Sequence, residues 1–88
     1  MRLILADDHN LFREALCYYL RQASSNVELL EAANLDDALH LAGDGRTIDA
    51  MLLDYIMPGM DGSAGIRRVK QTLPDVPLVV LSGNISDE

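Results

Sequence analysis

Three aspartates stand where short apolar runs end. Asp7 and Asp8 follow Leu3-Ile4-Leu5-Ala6, and Asp54 follows Ala50-Met51-Leu52-Leu53. Ser82 closes a further run, Leu78-Val79-Val80-Leu81. Taken alone, Asp7-Asp8 reads as a pair capping the start of a helix. Taken with Asp54, it reads as part of an acid cluster. Two like unit charges about 4 Å apart cost roughly 4 kcal/mol at an effective dielectric near 20. A fold keeps such a cluster only with a compensating cation or for a function. Ligands that are all oxygen suit a hard ion, and few carboxylates with room for waters suit Mg2+ better than Ca2+. No Cys/His cluster offers a zinc or copper site.

The elements that would carry these residues alternate in type. After the first apolar run, Asn10 can cap a helix on which Phe12, Leu16, Tyr19 and Ala23 recur at helical spacing, with Ala15 and Leu20 filling the stripe. Cys17 falls off that stripe, between Arg13 and Arg21. It is expected to be a bland, partly buried thiol. Val27 to Ala32 is apolar but carries Glu28 and Glu31, which suits a sheet edge. Asn34 caps a second helix, with Asp36 and Asp37 in its first turn, where the helix dipole favours them; it stops around Gly43 to Gly45. A loop with Pro58, Gly59 and Gly62 follows Asp54, then a third helix marked by Ile66, Val69 and Leu73. Met51, Met57 and Met60 read as packing residues, and His9 and His40 as surface histidines. The order β-α-β-α-β-α-β predicts crossover helices and a parallel sheet. Right-handed crossovers leave few topologies, among them the doubly wound order 2-1-3-4. In that order strands one and three are neighbours. Asp7, Asp8 and Asp54 then gather at the switch point, where ligands bind in open α/β sheets.

Composition narrows the function classes. The chain has 88 residues and 49% hydrophobic residues, which fits one globular domain. Its net charge of −7 argues against direct binding to nucleic acid or to an anionic membrane. The basic cluster Arg67, Arg68 and Lys70 reads as a solvated helix face. A lone cysteine precludes an internal disulfide, and the first apolar run ends too early for a signal peptide or a spanning helix. A cytoplasmic protein is the expectation.

Four features in order then resemble one family. Asp7-Asp8 after strand one, Asp54 after strand three, Met57-Pro58-Gly59-Met60-Asp61-Gly62 in the next loop and Ser82-Gly83 after strand four look like the receiver domains of bacterial two-component response regulators. Ala6-Asp7-Asp8-His9 and Phe12-Arg13-Glu14-Ala15-Leu16 are similar to the subfamily with a LuxR-type transcriptional output. The resemblance implies a flavodoxin-like α/β fold over residues 1–88. It also implies a phosphoacceptor function: Asp54 would take the phosphoryl group from a phosphohistidine on a sensor histidine kinase. Asp8 and Asp54 would bind Mg2+ directly and Asp7 through water, with the main-chain carbonyl of Ile56 completing the protein ligands. Ser82 would hydrogen-bond the phosphoryl oxygen, and Gly83 would leave room for the phosphate. The domain would be a switch and not an enzyme, although it assists its own phosphorylation and dephosphorylation. DNA would be reached only through a separate C-terminal domain.

The sequence departs from that family at its end. The fourth helix, the fifth strand with its lysine and the fifth helix do not appear before Glu88, so an incomplete receiver is expected, labelled poorly by small phosphodonors. A phosphorylation-independent interaction or dimerisation module is the alternative function. An aspartyl-nucleophile phosphatase is a further one, disfavoured because Ile56 stands where such enzymes place a second acid. Pro77 to Leu81 reads as an interior strand left as an edge. Self-association is therefore expected, through that strand or through the first helices, with apolar surface exposed near Leu11, Phe12 and Tyr18.

Overall fold

The computed structural model describes residues 1–45 and 47–81. Ser82 and Gly83 lie outside the described residues. The elements are β1 (Arg2–Ala6), α1 (Asn10–Ala23), β2 (Glu28–Ala32), α2 (Leu35–Ala42), β3 (Ala50–Asp54), α3 (Ser63–Thr72) and β4 (Leu78–Leu81). The four strands form one parallel sheet in the order β2-β1-β3-β4, the doubly wound order expected. β1 is hydrogen-bonded on both sides, pairing Leu3 with Leu29 and Ala50, and Ala6 with Ala32 and Leu53. Asp54 pairs with Leu81 across the β3–β4 ladder. No helix among the described residues is long and apolar enough to cross a membrane.

Alternation along the central strands builds the core. Ile4, Ala6, Met51 and Leu53 point to one face, where they pack with Leu35 and Ala38 of α2, Val69 of α3, and Met57 and Met60 of the loop between β3 and α3. These three methionines are buried, as the sequence suggests; their unbranched thioethers fill the irregular gap beneath the loop. α2 is closed at its start by Asn34, whose side-chain oxygen accepts from the Asp37 N–H at 2.8 Å. Such a cap contributes about 1 kcal/mol.

α1 differs from its sequence reading. Its helical start is one residue earlier, with His9 in the capping position and no side-chain cap. Its one buried residue is Cys17, flanked by the partly buried Arg13, Leu16 and Leu20, while Phe12 and Tyr19 are exposed. The physical reason is Arg13. Its guanidinium donates to the Asp7 carbonyl and to Asn10 Oδ1 at 3.0 Å, and its Nε donates to Glu31 Oε1 on β2 at 3.0 Å. These bonds turn the Arg13–Cys17 side toward the sheet, the arginine stem covering apolar surface while its head stays paired. The exposure of Leu11, Phe12 and Tyr18 agrees with the sequence expectation.

The loop from β3 into α3 is held close to the sheet. Pro58 accepts from the Leu35 N–H at 3.0 Å, and the Met60 N–H closes a turn on Met57 at 3.1 Å. Gly65 passes so near this loop that a Cβ there would lie 2.5 Å from the Met60 carbonyl oxygen. Glycine is required by contact at that point.

Candidate functional site

Parallel pairing of β1 with β3 brings their carboxyl ends to one rim. The ladder continues past both ends: the Asp7 N–H donates to Ala32 at 3.0 Å, and the Tyr55 N–H to Leu81 at 2.9 Å. The backbone beside Asp7 and Asp54 is thus fixed by the sheet itself. Both side chains are buried, Asp7 at 3% and Asp54 at 6% exposure, whereas Asp8 is exposed to solvent. Asp7, Asp8, His9 and Asp54 each present one ligand atom, all within 4.8 Å of one another. The three aspartates singled out in the sequence are therefore brought together.

The cluster is unevenly satisfied. Asp7 Oδ1 accepts from the His9 backbone N–H at 2.8 Å and lies 2.9 Å from His9 Nδ1. Asp54 Oδ1 accepts from the Ile56 N–H at 3.1 Å. Asp54 Oδ2 is enclosed and has no hydrogen-bond partner among the described residues. A buried carboxylate oxygen without a donor carries an unrecovered desolvation cost. Burial pushes the Asp54 carboxyl above the usual range, and the charges of Asp7 and Asp8 push it the same way; the Ile56 N–H opposes them. His9 is raised above its ordinary value by its hydrogen bond to Asp7, and further by the charges of Asp8 and Asp7.

His9 is the site residue that sequence reading misses, because a surface histidine, which it is, carries no sign of a role at the cluster. Its ring is largely exposed, yet Nδ1 also lies 3.4 Å from Asp8 Oδ1 and 3.6 Å from Asp54 Oδ2. Adjacency to Asp8 was the available signal. Ile56 meets Asp54 through its backbone N–H, and its side chain joins Leu11, Phe12 and Leu81 around a cleft of about 620 Å³ that opens over Asp7, His9 and Asp54. The donor set fits a hard divalent cation: several carboxylate oxygens, one of them buried and unpartnered, with Asp8 open to water.

The family model for the response regulator receiver domain matches residues 3–88. The glycerol metabolism activator of Pseudomonas putida is 40% identical over 92% of this chain, which spans 37% of that protein. The chain thus spans well under half the length of this curated relative. Among solved structures, RcsB from Salmonella enterica serovar Typhimurium, bound to promoter P1flhDC with the phosphomimetic BeF3−, aligns at a TM-score of 0.81 and 27% identity, over 97% of this chain and 43% of RcsB. A response regulator from Burkholderia pseudomallei, solved with a phosphorylated aspartic acid, a calcium ion and citrate, aligns at a TM-score of 0.75 and 26% identity, over 97% of this chain and 49% of that one.

Proposed function

This chain belongs to the response regulator receiver domain family of two-component signalling, and from that premise we propose that Asp54 is its phosphoacceptor and that Asp7, Asp8 and Asp54 hold Mg2+. The observation that carries the reading is Asp54 Oδ2: buried, without a donor among the described residues, and facing two further carboxylates at the carboxyl end of a central strand. The phosphorylated aspartate and the cation of the Burkholderia regulator and the phosphomimetic on RcsB support it by likeness.

In the proposed reaction an Asp54 oxygen attacks the phosphorus of a phosphohistidine on a sensor histidine kinase. The O–P bond forms, the N–P bond breaks, and the imidazole leaves with the bonding pair. Phosphoryl transfer depends on positioning and charge neutralisation more than on covalent chemistry. When bound, Mg2+ supplies the positive charge that lets an anionic phosphoryl group approach a carboxylate. The chain's own part is positional. The Tyr55–Leu81 ladder bond fixes the backbone after Asp54, and the Ile56 N–H orients its carboxylate. Asp8 is exposed and is assigned direct ligation, Asp7 ligation through water, and the Ile56 carbonyl the remaining protein ligand. Ser82 is assigned to the phosphoryl oxygen.

The proposal extends to a cytoplasmic transcriptional regulator whose DNA contacts lie in another domain, a reading supported by the promoter-bound RcsB relative. Self-association of this chain is proposed from the exposed Leu11, Phe12, Tyr18 and Tyr19 on α1 and the exposed Val79 and Val80 on β4. The site is tested by amide NMR titration of the wild type and Asp8→Ala with Mg2+, then with beryllofluoride. Shifts at Asp8, Asp54 and Ile56 in the wild type, lost in the variant, are expected. Identical responses from both proteins would remove the site.

A further inference from the structure

The chemistry proposed at Asp54 needs Asp7 and Asp8 to stay beside it, although the three carboxylates repel one another. We propose that Arg13 of α1 is the positioning residue that keeps them there. Its guanidinium clamps the turn Asp7-Asp8-His9 to the sheet, and so sets how well the site takes up its ion and its phosphoryl group. The inference deepens the reading of that site and rests on it for the ligand roles of Asp7 and Asp8.

Each guanidinium nitrogen has its own acceptor. Nη1 donates to the Asp7 carbonyl, Nη2 to Asn10 Oδ1 at 3.0 Å and Nε to Glu31 Oε1 at 3.0 Å. These acceptors belong to three pieces of chain: the turn after β1, the start of α1, and β2. The planar fork points its N–H groups in fixed directions, so the three bonds act as one rigid joint. The Arg13 side chain is only 16% exposed, which limits competition from water. The Asp7 carbonyl shares a peptide plane with the Asp8 N–H. Fixing it fixes the direction in which the chain leaves for Asp8, the exposed carboxylate assigned direct ligation. The Arg13 backbone N–H also donates to the His9 carbonyl at 2.9 Å, so both ends of the turn are tied to one residue.

α1 offers the turn little other anchorage. His9, in the capping position, makes no side-chain cap, and Cys17 is the one residue that the helix buries. Repulsion among Asp7, Asp8 and Asp54 pushes the turn outward, and the Arg13 joint opposes that push. Without it the turn relaxes, and the ligand atoms of Asp7, Asp8, His9 and Asp54 no longer stay within 4.8 Å of one another. Lysine at this position would keep the charge and most of the apolar stem. Its ammonium is a point donor on a flexible chain and cannot hold three acceptors in fixed directions. Arg13→Lys therefore separates position from charge.

The test compares the wild type with Arg13→Lys, Arg13→Ala and Cys17→Ala. Cys17→Ala loosens the packing of α1 without touching the turn, and so shows what a merely structural loss does. Urea unfolding gives the folded fraction of each protein. Amide NMR then gives the Mg2+ affinity of the folded protein and, without metal, the relaxation of the Asp8 and His9 amides. Removing a group that orients a metal ligand costs about 10–100-fold in affinity. Both Arg13 variants are expected to bind Mg2+ at least about tenfold more weakly, with Asp8 and His9 more mobile on the ps–ns timescale that relaxation reads. Cys17→Ala should match the wild type in both. Arg13→Lys binding Mg2+ as tightly as the wild type, or Cys17→Ala binding as weakly as Arg13→Lys, would overturn the inference and leave the Mg2+ assignment standing. A wild type that ignores Mg2+ would remove that assignment, and relaxation then decides the clamp alone. Asp8 and His9 amides that loosen in Arg13→Lys and not in Cys17→Ala would uphold it; amides unchanged in Arg13→Lys would overturn it.

Discussion

Replacing Asp54 by Asn should stabilise the cation-free protein, because the wild type holds a buried charge against two others. The ligand atoms of the cluster lie within 4.8 Å of one another. At that separation two like charges repel by about 3.5 kcal/mol at an effective dielectric of 20 and about 0.9 kcal/mol in water. Asp54 faces two such neighbours, Asp7 and Asp8, and the His9 ring, 3.6 Å from Asp54 Oδ2, offsets part of that repulsion. The net is one pair's worth, about 1–3 kcal/mol between the two dielectric limits. Asn keeps the shape, still accepts from the Ile56 N–H and offers a donor to its acidic neighbours. For a chain of this size the gain corresponds to roughly 4–8 °C in Tm per kcal/mol. Urea unfolding followed by circular dichroism, with a chelator present and near neutral pH, is the assay. The pH sign is fixed by the raised Asp54 pKa. Between its unfolded and folded values the folded wild type binds the extra proton, so wild-type stability rises as pH falls through the folded pKa. The advantage of Asp54→Asn should shrink over that window. Saturating Mg2+ should also narrow the gap, contributing about 2.7 kcal/mol at a hundredfold excess over Kd to the protein that binds it. An Asp54→Asn variant less stable than the wild type in chelator would refute the charge-cluster reasoning.

Gly65→Ala is expected to lose about 1–3 kcal/mol, because the new Cβ collides with the Met60 backbone and no side chain can yield; the urea midpoint reads it, and an unchanged midpoint would show that the loop shifts freely. Cys17 should resist alkylation in the folded state and react on unfolding, since burial pushes its thiol pKa up and Glu31 adds to the effect; equal labelling with and without denaturant would contradict its placement on the buried side of α1. Sedimentation across a concentration series should show association that Phe12→Ser weakens, given the exposed apolar face of α1; a monomer at every concentration would remove the proposed self-association.

The sheet was legible because its strands are short apolar runs separated by helical patterns, and β2 announced its edge through Glu28 and Glu31. The acid cluster was legible for the same reason: once β1 and β3 are neighbours, Asp7, Asp8 and Asp54 share a rim. The face of α1 was not. Phe12 and Tyr19 make a plausible stripe, but periodicity weighs hydrophobicity and cannot see that Arg13 bridges the Asp7 carbonyl, Asn10 and Glu31. His9 escaped for a related reason. A histidine after an acidic pair carries no pattern of its own, and only the turn that ties its N–H to Asp7 brings the ring over Asp54. The requirement for glycine at Gly65 also depends on a tertiary approach, that of Met60.

The central claim is that Asp54 accepts the phosphoryl group. Its most direct test is transfer from an autophosphorylated sensor histidine kinase in the presence of Mg2+. Reductive trapping of the acyl phosphate and mass spectrometry of the peptides then locate the label. Label confined to Asp54, and absent from Asp54→Asn, is the predicted result; label on any other residue, or label persisting in Asp54→Asn, would contradict it.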